Sequence, residues 1–175
     1  MQTETSQARQ TSWLRTIIIG RHPRRTLIRI GVIVVTCFLL RAFVVLPIFV
    51  DGPSMLPTYK AGRVNFINRL AYLRHEPLRG DVVTIRLAGE SVMFMKRVIG
   101  LPGETVTFSN GRLLINGRFL EEPYLKFSSN WNFVPEHSKL ADDEYYVVGD
   151  NRTMPHADHT QGAAKRERIV GKVLL

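Results

Sequence analysis

The sequence contains a single cysteine, Cys37, among 175 residues. No intramolecular disulfide can form and no cysteine-based metal site exists, so a domain outside the cytoplasm must be held by packing alone. Acidic residues are also scarce, 15 against 24 Lys and Arg, which leaves a formal charge of +9. An excess of this kind suits a nucleic-acid partner when it lies on a folded face. Here Arg9, Arg15, Arg21, Arg24, Arg25 and Arg29 all precede or begin an apolar run, so no nucleic acid is expected. Internal repeats and low-complexity tracts are absent. The length suits one compact domain with a short anchor.

The sequence also lacks a clean run of the roughly 20 apolar residues that a membrane helix needs. Ile30 to Leu40 is uninterrupted but short, so a spanning helix has to pass, or end on, Arg29 and Arg41. Long cationic side chains permit this by snorkelling to the interface. A helix over 27–46, ended by Pro47, is the expectation. The small residues of a leader-cleavage site do not follow it. Leu46-Pro47-Ile48-Phe49-Val50 is bulky, which favours a retained anchor over a cleaved leader. With the arginine-rich end inside, the expected organisation is a basic cytoplasmic tail over 1–26, an anchor over 27–46 and a β-rich domain over 47–175 outside the cytoplasm. Met1 to Gln10, mostly polar and rich in Gln and Thr, reads as a disordered tail.

Beyond Asp51 long helical periodicity gives way to short alternating runs. Asp81 to Arg86, Ser91 to Ile99, Thr105 to Phe108, Leu113 to Ile115 and Tyr145 to Val148 are rich in β-branched and aromatic residues and predict strands. Asn110-Gly111 and Asn116-Gly117 predict tight hairpins, because both central positions of a type I′ turn need positive φ. Leu101-Pro102-Gly103 marks a further turn. Arg63 to Leu73 reads as either a short helix or an irregular strand, and Glu122 to Asp143 as a long surface excursion. The fold class is therefore mostly β, a coiled antiparallel sheet with barrel-like form, following one N-terminal transmembrane helix.

Candidate chemistry begins at Asp51-Gly52-Pro53-Ser54-Met55-Leu56-Pro57-Thr58. A serine in such a segment is commonly only a turn former. Directly after an anchor, however, it sets a hydroxyl at the membrane surface, where a base could turn it into a nucleophile. In a strand from Ser91, Lys96 shares a face with Phe94 and Val98 while Arg97 points the other way. A lysine on an apolar face either loses affinity for its proton and becomes a usable base, or snorkels to water. The strand alone leaves both open.

The order GPSMLPT (52–58), RGDVVTI (79–85), MKRVIGLPGETV (95–106) and YYVVGDNR (145–152), after an N-terminal anchor, resembles the type I signal peptidase family. That resemblance implies a β-rich serine protease with a Ser/Lys dyad, located in a bacterial-type plasma membrane and cutting exported preproteins after an Ala-x-Ala-like pattern. Position by position, it implies Ser54 as nucleophile and Lys96 as general base. The Ser54 backbone N–H becomes the first oxyanion donor, since Gly52 stands where many members carry a serine. Arg97 and Asp150 match a structural pair, and Val50, Met55 and Met95 are expected substrate contacts. Signal peptides and the lipid bilayer are the implied partners, without cofactor or metal.

The resemblance breaks after GDNR. Counting from Gly149, Pro155 falls where the family has a serine that orients the lysine, and Ala157 where it has an aspartate. The orienting hydroxyl is missing unless Thr153 or Thr160 replaces it. This departure motivates a second reading, an inactive anchored β domain that binds signal peptides or a partner. A third is a maturation peptidase dedicated to one exported substrate. His156-Ala157-Asp158-His159 also raises a metal or a histidine triad through His159, but no second cluster supports a metal.

Overall fold

The computed structural model describes residues 23–86, 93–127, 130–160 and 162–174. The polar N-terminal tail, most of the expected 1–26 segment, and Ser91 and Val92 lie outside the described residues.

The chain divides after Phe43 into two units. In the first, helix α1 covers Pro23–Leu39, and a π-turn over Leu40–Val44 runs to the first residue of the second. A proline suits the first helical turn because its missing N–H is one that a helix leaves unpaired there. Leu27, Ile28, Val32 to Val35 and Phe38 are all exposed. No helix among the described residues is long and apolar enough to cross a membrane. The expected helix over 27–46 also ends early, because Val45 and Leu46 belong to a strand. Their backbone groups face Asn68 and Ile67 of a partner strand.

The described residues of the second unit form ten strands in chain order: β1 Val45–Phe49, β2 Val64–Asn68, β3 Val82–Arg86, β4 Met93–Gly100, β5 Val106–Ser109, β6 Arg112–Ile115, β7 Arg118–Leu120, β8 Glu144–Val148, β9 Gly162–Lys165 and β10 Ile169–Leu174. Seven form one antiparallel sheet in the order β1-β2-β10-β3-β4-β8-β9, and β5-β6-β7 form another. The mostly β antiparallel expectation holds. The barrel-like form does not: among the described residues β1 pairs only with β2 and β9 only with β8, so the large sheet keeps two edges. Closure would need a stagger carried round every strand.

Local chemistry explains the hairpins. Asn110 and Gly111 have φ of 49° and 75°, and Asn116 and Gly117 52° and 76°, as a type I′ connection requires. Arg63 to Leu73 resolves into strand β2 and a following turn. The 122–143 excursion is less superficial than expected, since it buries Trp131 and Leu140 among Ile99, Val106, Phe108 and Tyr146. Its Phe133 also bridges Phe108.

β4 is the central strand of the site. From Met95 to Gly100 every residue is buried, because β3 and β8 flank it and both of its faces are covered. Val82, Met95 and Val173 cluster on one face, and Val83, Val98 and Val147 on the other. A lysine in this strand cannot easily escape to water.

The turn after β8 is anchored by Arg152, which is fully buried and hydrogen-bonded to Gly149 O at 2.9 Å. Its guanidinium pairs with Glu122, whose side chain is 5% exposed. Removing one partner of a buried pair leaves an uncompensated charge, at a cost of about 3–5 kcal/mol. Glu122→Ala is therefore expected to lower the unfolding free energy by that amount, read as a lower denaturant midpoint. An unchanged midpoint would show that the pair does not hold this turn.

Candidate active site

Ser54 lies in the irregular segment that follows β1. This segment is tied at both ends: Val50 N–H donates to Arg63 O and Gly62 N–H to Val50 O, each at 2.9 Å. Inside it Leu56 N–H donates to Pro53 O at 3.0 Å and Tyr59 N–H to Met55 O at 2.9 Å. Gly52 takes φ of 89°, a left-handed conformation that glycine adopts without the penalty a side chain brings.

The turn after β8 then grips the serine. Asn151 N–H donates to Ser54 O at 3.0 Å and Asn151 Nδ2 to Pro53 O at 3.1 Å. Gly149 makes the approach possible, since a Cβ at that position would stand 2.2 Å from Ser54 O. Sequence reasoning missed both residues. They lay inside a quoted motif, but only the fold shows that a backbone passes directly over Gly149.

Lys96 reaches Ser54 from β4, with Nζ and Oγ hydrogen-bonded at 2.7 Å. The lysine is 3% exposed, and burial pushes its pKa down to about 8. Burial favours the neutral amine because the ammonium cannot recover its lost hydration here. The adjacent Arg97 points away and stays charged through its own partners. Its Nε and Nη2 donate to the two carboxylate oxygens of Asp150 at 2.8 and 2.6 Å, and Nη1 donates to Gly80 O at 2.7 Å. Thr58 Oγ1 adds a 2.6 Å hydrogen bond to Asp150, and the Tyr124 ring lies 4.0 Å from the guanidinium carbon. Thr58 lay inside a quoted motif without a role of its own, and Tyr124 carried no signal in the sequence.

Val50, Met55 and Met95 are buried together and line a pocket with Ser54 and Ile48. The histidines do other things. His159 is buried and its Nε2 lies 2.7 Å from Asn151 O, so the ring donates there rather than to Ser54. Burial lowers its pKa, against the opposing pull of the Asn151 hydrogen bond, and so favours the neutral ring. His156 stacks on Phe133 with ring centroids 4.4 Å apart. Of the two threonines, Thr153 hydrogen-bonds Asn151 Oδ1 at 2.6 Å, whereas Thr160 shares a pocket wall with Lys96.

A hydroxyl held against a buried amine can lose its proton to that amine and attack an electrophilic carbon. The contact depends on the space at Gly149. Gly149→Ala forces the new methyl against Ser54 O, and overpacking of this kind costs about 1–3 kcal/mol. A lower thermal midpoint than the parent is the expected result. Equal midpoints would mean that the turn yields freely.

Comparison with known proteins adds a family. The family model described as signal peptidase, peptidase S26, matches residues 24–175. The signal peptidase I of Leptolyngbya laminosa is 35% identical over 154 residues, 83% of this chain and 75% of that protein. The probable signal peptidase I-2 of Synechocystis is 31% identical over 163 residues, 87% of this chain and 74% of that protein. Signal peptidase I S of Bacillus subtilis is 38% identical over 134 residues, 70% of this chain and 71% of that protein.

Proposed function

The chain belongs to the signal peptidase S26 family and is a serine endopeptidase of signal-peptide processing; from that premise we propose that Ser54 is its nucleophile and Lys96 its general base. The observation that carries this reading is the 2.7 Å contact between Oγ and a buried amine whose pKa is pushed down to about 8. Neutral Lys96 accepts the Ser54 proton as Oγ bonds to the scissile carbonyl carbon. The resulting ammonium returns a proton to the departing amine. Lys96 then activates the water that releases the acyl group. The Ser54 backbone N–H serves the developing oxyanion.

Arg97 and Asp150 act at one remove, holding β4 and the turn after β8 together. The pocket of Val50, Met55 and Met95 beside Ser54 receives the small side chains on the signal-peptide side of the cut. Membrane attachment is part of the same proposal. Its support is the segment from Leu27 to Val44, whose only charged residues are Arg29 and Arg41, with Arg9, Arg15, Arg21, Arg24 and Arg25 on its N-terminal side. Under the positive-inside rule the N-terminus is cytoplasmic and the β unit lies outside.

Two measurements on the full chain test this. Ser54→Ala and Lys96→Met are each expected to abolish cleavage of a preprotein carrying Ala-x-Ala. In the parent, kcat/KM should rise with pH through about 8 and then level, as the amine loses its proton. Activity surviving in Lys96→Met would remove the amine from the mechanism.

The same burial predicts a stability effect of opposite sense. Lys96 binds its proton less tightly folded than unfolded, so its burial penalty is fully present below about pH 8 and fades as pH rises toward 10.5. At pH 7 Lys96→Met should therefore stabilise the fold, by about 1–3 kcal/mol. A melting temperature below the parent's would contradict it.

A further inference from the structure

Ser54 and Lys96 touch each other, yet they stand in the walls of two different pockets. One is bounded by Ser54 and not by Lys96. The other is bounded by Lys96 and not by Ser54. Phe94 borders both. The chemistry of acyl transfer distinguishes the two sides. As Oγ bonds to the carbonyl carbon, the acyl portion of the substrate becomes attached to Ser54. When the C–N bond breaks, its electron pair stays on nitrogen, and that nitrogen takes the proton Lys96 removed from Ser54. The departing amine must therefore come within hydrogen-bond reach of Lys96 Nζ.

We propose that the pocket beside Lys96 binds the residue immediately after the scissile bond, the first residue of the released protein, and that it favours an apolar side chain there. The inference rests on the Ser54 and Lys96 reading above, and it adds a leaving-side subsite to it. Ile85, Val147 and Ala164 are the buried apolar part of this pocket, with Phe94 half-buried. Thr160 and Arg168 are its exposed members.

Arg168 makes none of the salt bridges found among the described residues, so an acidic side chain is the rival occupant. Electrostatics disfavours it. A carboxylate within about 4–6 Å raises the proton affinity of a neighbouring amine by roughly 1–3 pKa units. That would hold Lys96 as ammonium and take the base out of its working form. An apolar side chain has the reverse effect, because it displaces water from the wall that Lys96 forms.

The test uses the full chain in detergent micelles and a set of preprotein-derived peptides that differ only at the residue after the cut: Gly, Ala, Leu, Asp and Lys. The expected order of kcat/KM is Leu, then Ala, then Gly, with Leu about tenfold above both Gly and Asp. Thr160→Trp, a change at an exposed position that narrows the pocket, should bring the Leu-to-Gly ratio down toward one. Equal rates for all five peptides would overturn the subsite and leave the Ser54 and Lys96 reading intact. A preference for Asp that disappears in Arg168→Ala would overturn the apolar assignment. Failure of the unaltered chain to cut any peptide would bring down the reading on which this rests. The peptide series on the unaltered chain decides the matter even if the tryptophan variant does not fold.

Discussion

Two hydrogen bonds between Arg97 and the Asp150 carboxylate tie β4 to the turn that follows its sheet neighbour β8. Arg97 is next to Lys96 on β4. Asp150 lies between Gly149, which admits the Ser54 carbonyl, and Asn151, which holds it. Thr58, from the segment that carries Ser54, bonds the same carboxylate. One ion pair thus fixes the lysine strand, the serine segment and the turn after β8 in a common frame. Its carboxylate is wholly buried, so the frame is kept from solvent and from salt.

The same arrangement manages charge. A buried amine is costly to protonate, and further cations at hand make it costlier. Arg97 keeps its charge because Asp150 answers it, and Arg152 is paired with Glu122. His159 is held neutral and engaged with the Asn151 carbonyl. Lys96 has no carboxylate of its own, and it is the group whose proton becomes labile near neutral pH. Stability and chemistry pull apart at that residue. The burial that weakens the fold is the burial that makes the base.

Much of this was legible from residue order, and the reasons are local. Strands β3, β4, β5, β6 and β8 followed from alternating β-branched and aromatic residues, and the two Asn-Gly turns from their need for positive φ. β1 was lost because its residues continue an apolar run and resemble the end of an anchor; only pairing with β2 marks them as a strand. β9 begins at Gly162 with Ala163 and Ala164, small residues with little strand preference, which are held in the sheet by β8. The sheet's open edges depend on which strands lack partners, a property of no single segment.

The sequence by itself determined the residue types: a serine after a glycine and proline, a lysine and an arginine alternating on one strand, an aspartate in a turn. These follow from periodicities of a few residues, which short-range sterics dictate. Only the tertiary structure decided that Ser54 and Lys96, 42 positions apart, stand 2.7 Å from each other. It alone decided that covering both faces of β4 strips water from the amine, and that the two residues open onto separate pockets. The physical reason is that desolvation and close approach are sums over neighbours brought together from distant segments, and such sums exist only once the chain has packed.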